Sequence, residues 1–371
     1  MTGGGSRATD LVTPSSTTMS INVRGYAAHS STSPLGLFGF VRRDPRPDDV
    51  VIDILYCGVC HSDIHHARND WGGATYPLVP GHEIVGRVTQ VGTNVSRFKA
   101  GDLVGVGCLV DSCQRCRACG RGLEQYCESG KTLTYDDVDP HDGMPTYGGY
   151  SERIVVTEKF VLKMPDGLDA AAAAPLLCAG ITSWSPLRHW NVGPGSSVAV
   201  VGLGGLGHMA LKLAKALGAE VTLFTRSPGK EADARRLGAD HIVLSTEEAQ
   251  MAGVANRFDL IIDTVPYVHD INPYVPTLAT GGTLVLVGYL GPLEPMLNSA
   301  PLVMNRKAVA GSLIGGIAET QEMLDFCGQH SIVCDVEVIR IQDINEAFER
   351  MLRSDVKYRF VIELASLKGW V

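Results

Sequence analysis

The chain has 371 residues, of which 45% are hydrophobic and 19% charged, and its formal net charge is −8. This length predicts about two domains, and the acidic charge argues against a broad surface for nucleic acid or anionic membranes. We also find no apolar run near the roughly 18 residues of a membrane span and no apolar secretory segment at the N-terminus. We therefore expect a cytoplasmic protein with no nucleic-acid or membrane partner.

The predicted elements change character along the chain. Residues 1–18 are rich in Gly, Ser and Thr and are expected to form a flexible tail. Short β segments broken by Gly and Pro follow, which is typical of an all-β, barrel-like domain; they lie at 50–56, 83–91, 102–106 and 150–156. From about residue 170, strands alternate with helical or glycine-rich segments; these strands lie at 198–201, 220–225, 241–244, 259–263, 283–287 and 308–312. Such alternation predicts a doubly wound parallel sheet.

The last part of the chain does not continue this alternation. Two amphipathic stretches at 319–327 and 344–352 accompany strands at 336–341 and 358–362. We assign them back to the first domain. The predicted organisation is one domain made of residues 19–170 and 315–371, with a second domain, residues 171–314, inserted between its two pieces.

Four cysteines lie close together in a polar stretch of the first domain: Cys113, Cys116, Cys119 and Cys127. Four thiolates at this spacing can complete a tetrahedral shell around one Zn²⁺ and leave no open position for a substrate. The spacing predicts a structural zinc site. The alternative is a loop of reduced or disulfide-bonded cysteines.

A glycine motif follows the strand predicted at 198–201 and precedes a predicted helix. Gly202 lets the chain turn, Gly204 lets the backbone approach a pyrophosphate, and Gly207 lets helix and strand pack closely. Because the free N–H groups of a helix N-terminus bind phosphates, this context predicts a dinucleotide site. The alternative is an ordinary strand-to-helix turn.

The loop after the second strand of this domain indicates which dinucleotide binds. NAD-specific domains usually place a carboxylate about 20 residues after the glycines, but none lies between residues 221 and 230. The loop instead offers two hydroxyls and two cations, from Thr225, Arg226, Ser227 and Lys230. These groups suit the 2′-phosphate of NADP(H). The alternative is a solvated turn with incidental charges.

A second set of metal-binding residue types is scattered along the chain: Cys60, His82, Glu83 and Cys178. Taken singly, each is equally well explained as a buried thiol or a core residue. Their spacing in the sequence does not unite them.

These residues and motifs together carry a resemblance to a known family. From about residue 26 to 364 the chain resembles the zinc-dependent medium-chain alcohol dehydrogenases, most closely the cinnamyl alcohol dehydrogenase branch with its bacterial aldehyde reductases. The matching motifs are Cys60-His61-Ser62-Asp63, Pro80-Gly81-His82-Glu83, the four-cysteine stretch, Leu176-Leu177-Cys178-Ala179-Gly180, the glycine motif at 202–207 and Tyr358-Arg359-Phe360. The resemblance implies a GroES-like β-barrel catalytic domain with an inserted Rossmann domain.

The resemblance also implies a reaction and a second zinc ion. Cys60, His82 and Cys178 would hold a catalytic zinc, with Glu83 as an alternative ligand, so that each chain binds two Zn²⁺. Such a zinc polarises an aldehyde while NADPH transfers hydride.

Further roles follow from the same resemblance. A proton relay is implied for Ser62, His65 and Asp70, although His66 is a competing neighbour of His65, and Asp63 would orient His82. Arg359 is a candidate for a pyrophosphate contact, for pairing with Glu83 or for a surface ion pair. The remaining cofactor contacts are expected from Gly205, Leu206, Gly288, Ser312 and Ile314.

The family resemblance also predicts a substrate class and an oligomeric state. The pocket residues of the family match Trp71, Leu133, Trp184 and Ile314, which suggests aromatic and medium-chain aldehydes, unless these side chains only pack the core. A homodimer is expected through the edge strand at 308–312. Two alternatives remain: an NAD-linked zinc dehydrogenase of polyols or short secondary alcohols, and a member of the superfamily that has lost catalysis.

Overall fold

The computed structural model describes residues 21–369, so the tail expected at 1–18 lies outside the described residues. The first part of the chain forms short strands and one helix. The strands are β1 (Ile21–Ala27), β2 (Gly36–Arg42), β3 (Asp49–Gly58), β4 (Ile84–Val91), β5 (Leu103–Val106), β6 (Leu109–Ser112), β7 (Lys131–Leu133), β8 (Arg153–Thr157) and β9 (Leu162–Lys163), and the helix is α1 (His61–Ala67). β3 is the longest of them, and its residues alternate little in burial, because both faces of the strand are covered.

The middle of the chain alternates helices and strands. The helices are α2 (Ala170–Ala173), α3 (Ala179–His189), α4 (Gly207–Ala216), α5 (Glu231–Arg236), α6 (Glu248–Ala252) and α7 (Ala300–Asn305). The strands are β10 (Ser197–Val201), β11 (Glu220–Thr225), β12 (His241–Leu244), β13 (Phe258–Asp263), β14 (Leu278–Leu286) and β15 (Ala308–Gly311). They form one sheet in the order β12-β11-β10-β13-β14-β15, with every neighbouring pair parallel. This is the strand order of a dinucleotide-binding Rossmann sheet.

The end of the chain returns to the first sheet. It contains α8 (Ile317–His330), β16 (Val336–Arg340), α9 (Ile344–Leu352) and β17 (Arg359–Glu363). β16 and β17 extend the sheet β16-β17-β3-β4-β5-β9, to which β8 is added by pairing with β3. β1 pairs with β2, and β6 with β7, in two small separate sheets. The predicted fold class, a β-rich catalytic domain with an inserted parallel sheet, is confirmed, whereas the boundaries at residues 170 and 314 stay a prediction.

The hydrophobic residues form more than one core. One cluster joins the central strands β10 and β11 to α3, α4 and α8, and a second fills the space beneath β3, β4 and β17. Two partly buried side chains, Ile314 and Ile317, pack against both clusters. The segment between β15 and α8 therefore lies at the junction of the two cores.

Within residues 21–369, no single helix has the length and apolar composition of a membrane span. One bent pair, Ala170–Leu177 with Ala179–His189, meets those criteria only when the two are taken together, and they meet at an angle of 54°.

Candidate active site

Four scattered residues meet at one point beside the first sheet. The ligand atoms of Cys60, His82, Glu83 and Cys178 all lie within 4.8 Å of one another. Cys60 precedes α1, His82 and Glu83 precede β4, and Cys178 immediately precedes α3. Three separate turns thus supply the donors, which is why their spacing in the sequence is uninformative.

The donor set suits Zn²⁺. Thiolate, imidazole and carboxylate are the ordinary zinc ligands, and Zn–S bonds of about 2.3 Å place two thiolates about 3.8 Å apart in a tetrahedral site. Cys60 Sγ and Cys178 Sγ lie 3.9 Å apart. The hydrogen bond with Cys178 lowers the pKa of Cys60 well below its ordinary value, which favours the thiolate form.

Asp63 connects the elements around this cluster. Its carboxylate accepts hydrogen bonds from the Cys60 N–H at 2.8 Å, the Gly81 N–H at 3.1 Å and the Tyr150 hydroxyl at 3.0 Å. It also lies 3.3 Å from His82 Nδ1. Asp63 is fully buried, so these contacts fix the imidazole with its Nε2 free for a metal.

Glu83 pairs with an arginine from the far end of the chain. Both Glu83 and Arg359 are buried, and the guanidinium donates to the carboxylate. Burial raises the pKa of Glu83 to about 7, while Arg359 acts in the opposite direction. Gly58 is required beside them, because a Cβ there would lie 1.8 Å from the carboxylate. Of the alternatives considered for Arg359, the surface ion pair is therefore wrong, and the pairing with Glu83 is the one observed.

The residues predicted for proton transfer lie on α1 and the turn after it. Ser62 Oγ is 3.7 Å from Cys60 Sγ, and His65 Nδ1 is 2.8 Å from Asp70. The competing neighbour, His66, is engaged elsewhere, because its Nδ1 lies 2.6 Å from Asp136. The structure thus gives each histidine its own carboxylate, and Asp136 is a partner that the sequence did not indicate.

Aromatic side chains line the approach to α1. The rings of His65 and Trp71 are 4.9 Å apart, and Trp71 is 5.6 Å from Tyr289, which follows β14 in the parallel-sheet domain. Trp71 and Tyr289 are both exposed, so the pair stands open to solvent between the two domains. Nothing in the sequence marked Tyr289.

One of the predicted pocket residues lies elsewhere. Trp184 is 1% exposed and packs on Phe326 of α8, so its assignment to the substrate pocket is corrected: it fills the core, as one of the two alternatives held. Leu133 ends β7 and packs against the core of the first domain. Ile314 remains at the junction of the two cores, with a backbone φ of +34°.

The glycine motif forms the turn that was predicted. Gly202 has a φ of +88°, and a Cβ on Gly207 would lie 2.1 Å from the Gly202 carbonyl oxygen. A Cβ on Gly204 would meet nothing within 4 Å, so this face of the turn is open where a pyrophosphate would approach. Gly205 has another role, because a Cβ there would lie 2.8 Å from the Arg359 side chain.

The loop predicted to bind a 2′-phosphate follows β11 at the carboxyl edge of the sheet. Arg226 and Ser227 are exposed there. Thr225 Oγ1 accepts the Ser227 N–H at 3.1 Å, and Lys230 Nζ donates to the Leu203 carbonyl at 3.1 Å. Lys230 therefore ties this loop to the glycine turn. The other residues expected at the cofactor, Leu206, Gly288 and Ser312, lie at or after the carboxyl ends of the same sheet.

The four-cysteine stretch forms a second cluster. The Sγ atoms of Cys113, Cys116, Cys119 and Cys127 lie within 4.8 Å of one another. Backbone N–H groups point at the sulfurs, as at Cys116 N to Cys113 Sγ, 3.3 Å. Hydrogen bonds from the backbone of Arg115 and Cys116 lower the pKa of Cys113 to about 6. This arrangement suits four thiolates around one metal.

Further residues around these sites were missed from the sequence. The Tyr135 ring stacks on His82 at 5.7 Å, and Cys108 interacts with Cys178. Tyr150 reaches Asp63 from a loop 87 residues away along the chain. Only three-dimensional proximity distinguishes these residues from other buried tyrosines and thiols.

Comparison with known proteins gives two family matches. Residues 46–166 match the alcohol dehydrogenase GroES-like domain, and residues 205–329 match the zinc-binding dehydrogenase domain.

Individual proteins match over nearly their whole length. The chain is 52% identical to aldehyde reductase YahK of Escherichia coli over 352 residues, 94% of this chain and 99% of the relative. It is 53% identical to NADP-dependent alcohol dehydrogenase C 1 of Mycolicibacterium smegmatis over 349 residues, again 94% and 99%. Among solved structures, cinnamyl alcohol dehydrogenase SbCAD4 of Sorghum bicolor matches with a TM-score of 0.90 and 46% identity, covering 93% of this chain and 98% of that one.

Proposed function

The chain belongs to the zinc-dependent medium-chain alcohol dehydrogenases, and on that premise we propose that it interconverts aldehydes and primary alcohols with NADP(H) and two zinc ions. The working preference proposed is reduction of aromatic and medium-chain aldehydes. The observation that carries the chemistry is the convergence of Cys60, His82 and Cys178 with Glu83, whose partner Arg359 lies against Gly205 in the glycine turn after β10. In a superfamily member that had lost catalysis, nothing would require these three donors to stay together.

The reaction divides between the bound groups and the chain's own residues. When bound, zinc supplies Lewis-acid polarisation of the carbonyl oxygen and NADPH supplies the hydride. Cys60, His82 and Cys178 would hold the metal, and Asp63 keeps the His82 ring oriented. Glu83 has Arg359 as its charge partner, which stabilises the carboxylate whenever it does not bind the metal.

Proton transfer is assigned to residues on α1 and in the turn after it. We infer that the Ser62 hydroxyl gives its proton to the substrate oxygen and that His65 is the residue that replenishes the proton of Ser62. Asp70 accepts the hydrogen bond from His65 Nδ1, so Nε2 is the atom at which the proton enters and leaves. His66 is held by Asp136 and takes no part.

The preference for NADP(H) is supported by the loop after β11. Arg226 is exposed and Lys230 lies beside the glycine turn, so both can reach a 2′-phosphate. No carboxylate in the described loop replaces them. This composition weighs against an NAD-linked dehydrogenase of polyols or short secondary alcohols.

The proposed substrate class rests on the two exposed aromatic side chains of Trp71 and Tyr289. The Trp71 ring lies next to His65 and Tyr289 packs against Trp71. Aromatic surfaces of this kind favour apolar aldehydes over sugars. The test is a panel of aldehydes assayed with NADPH and with NADH. Cinnamaldehyde and benzaldehyde should be reduced with a higher kcat/KM than glucose or glyceraldehyde, and a preference for the sugars would contradict the proposed class.

We propose a homodimer and a cytoplasmic location. β15 lies at the edge of the parallel sheet, and the segment before it exposes Met296, Val303 and Met304. An open edge beside apolar side chains favours pairing with a second copy. The ten cysteines are all unpaired, which suits a reducing compartment.

A further inference from the structure

The segment that links β15 to α8 has an unusual backbone. Ile314 has a φ of +34°, in the left-handed region that β-branched residues very rarely adopt. Its side chain packs against both hydrophobic cores. A conformation of this kind persists only where the surroundings impose it, and such residues concentrate at functional sites.

The four-cysteine stretch supplies part of those surroundings. We call residues 113–127 the cysteine loop. On one side of Ile314, the Leu313 N–H donates to the Tyr126 hydroxyl at 3.0 Å. On the other side, the Ile317 N–H donates to Glu124 Oε2 at 3.0 Å. Two side chains of the cysteine loop therefore hold the backbone before and after Ile314.

Close packing adds to these hydrogen bonds. A Cβ on Gly316 would lie 1.8 Å from the Gly122 carbonyl oxygen, so only glycine allows the segment to lie against the cysteine loop. A Cβ on Gly315 would lie 2.5 Å from Ile181 of α3, the helix that begins directly after Cys178. The segment is thus enclosed between the cysteine loop and the helix that presents a candidate metal ligand.

The hydrogen bond to Ile317 also has a physical reason. Ile317 is the first residue of α8, and the N–H groups of a first helical turn have no partner within the helix. Gly316, at the N-cap, has no side chain that could accept them. The Glu124 carboxylate satisfies one such donor from outside, and its negative charge is favourable at a helix N-terminus.

We propose that the cysteine loop acts as a positioning element for the substrate pocket, because Glu124 and Tyr126 hold Ile314 in the conformation that shapes it. This inference rests on the proposed function, and on the family resemblance that assigns Ile314 to the cofactor site and the substrate pocket. A metal held by the four cysteines would keep the loop folded, and the loop would then influence which aldehydes fit as well as how stable the protein is. Glu124 and Tyr126 are positioning residues that act through Ile314.

The test uses single variants of the full-length enzyme. Tyr126→Phe removes only the acceptor for Leu313, and Glu124→Ala removes the acceptor for Ile317. Glu124→Gln keeps a side-chain carbonyl oxygen and should restore the wild-type behaviour. Glu128→Gln is the matched control, because Glu128 is exposed just after the same loop and its side chain does not hold this segment.

Two measurements report on each variant. Amide hydrogen exchange of the peptide spanning 313–317 should quicken in Tyr126→Phe and Glu124→Ala, and stay at the wild-type rate in Glu124→Gln and Glu128→Gln. The ratio of kcat/KM for cinnamaldehyde to that for acetaldehyde should fall about fivefold in the first two variants, as expected for one hydrogen bond of ordinary strength. Zinc content and Tm confirm that each variant is folded and metal-loaded.

A double-mutant cycle separates positioning from a general loss of stability. In an Ile314→Gly background there is no side chain left to position, and glycine accepts a positive φ without strain. Adding Tyr126→Phe or Glu124→Ala should then leave the substrate ratio unchanged, whereas additive effects would overturn the proposal. Unchanged exchange in both single variants would overturn it too. A wild-type enzyme that reduces no aldehyde with NADPH would instead overturn the proposed function, which is a distinct result.

Discussion

Arg226 is the residue on which the choice of cofactor depends most directly. It is exposed at the end of β11, where a planar guanidinium can bind a phosphate through two hydrogen bonds. Arg226→Asp should lower kcat/KM for NADPH by tens-fold to hundreds-fold, because charge-assisted contacts contribute about 1.5 to 3 kcal/mol each. The same variant should barely change kcat/KM for NADH.

The control for this variant is Arg235→Asp, which makes the same change of charge on the exposed surface of α5. It should leave the NADPH to NADH ratio as in the wild type. Steady-state kinetics with both cofactors measure the effect. Equal use of NADPH and NADH by the wild-type enzyme would refute this interpretation of the loop.

The buried residue His208 should make the stability of the folded protein depend on pH. It is fully buried at the start of α4, where Nδ1–H donates to the Gly205 carbonyl at 2.8 Å and the ring stacks on Tyr358. Burial lowers the pKa of His208 to about 3, and the charges of Lys212 and Arg359 add to this effect. The folded protein therefore keeps His208 neutral at any ordinary pH.

Because His208 stays neutral in the folded protein, acidic pH should lower the free energy of unfolding. In the unfolded chain a histidine has a pKa of about 6.5, so below that pH the unfolded state binds a proton that the folded state does not. This residue alone should lower the free energy of unfolding by about 1.4 kcal/mol per pH unit as the pH falls from 6 towards 4. His208→Gln should show a shallower decline in urea midpoints between pH 7 and 5 than wild type. Parallel profiles would contradict the prediction, and His330→Gln, at an exposed histidine, is the control.

At the scale of elements, the two cysteine clusters should respond differently to the loss of one thiol. Cys178→Ser removes one thiol from the cluster of Cys60, His82 and Cys178, and it should abolish turnover while the protein stays folded. Cys116→Ser removes one of four thiolates from the cysteine loop and should lower Tm, because a structural zinc contributes directly to folding.

Metal analysis with thermal denaturation distinguishes the two outcomes. The wild-type enzyme should contain two zinc ions per chain, and each variant should lose one. A single zinc in the purified, folded wild type would disprove the assignment. Chelation should remove activity before it unfolds the protein, since only the first cluster has a position open to substrate.

The elements also show what can be predicted from sequence. Local patterns located five of the six parallel strands to within one residue at each end but missed the first five residues of β14. α9 was predicted with the bounds it has, because amphipathic spacing and glycine turns are local properties. The cysteine loop was recognisable for the same reason. Cys60, His82 and Cys178 could be united only through the family resemblance, since they come from three distant turns.

Long-range contacts account for most of what was missed. Tyr150 and Asp136 hold Asp63 and His66 through hydrogen bonds that no spacing foretells. Trp184 was misplaced because a tryptophan near a ligand cysteine can point to either side of its helix. The side it takes here is decided by packing on Phe326, more than 100 residues further along the chain.

At the scale of the whole molecule, we predict a homodimer. Val303 and Met304 are each 79% exposed, and both precede the edge strand β15. Replacing both with aspartate should place charge in the proposed dimer interface and yield a monomer, because buried unpaired charges are costly. Light scattering should give twice the mass of one chain for the wild type. A monomeric mass at micromolar concentration would rule the dimer out, and Val338→Asp, at an exposed valine of β16, is the control.

The return of β17 to β3 has a consequence for synthesis on the ribosome. Arg359 follows its partner Glu83 by 276 residues, so this cation and the strand that pairs with the end of β3 are translated long after Glu83. Domains generally fold as units during synthesis, N-terminal parts first, but here the inserted parallel sheet is complete while the earlier domain still lacks two strands. Until β17 has been translated, the nascent chain therefore lacks the strand that pairs with residues 56–58 of β3 and the cation that pairs with Glu83, and in this interval a chaperone would have most to protect.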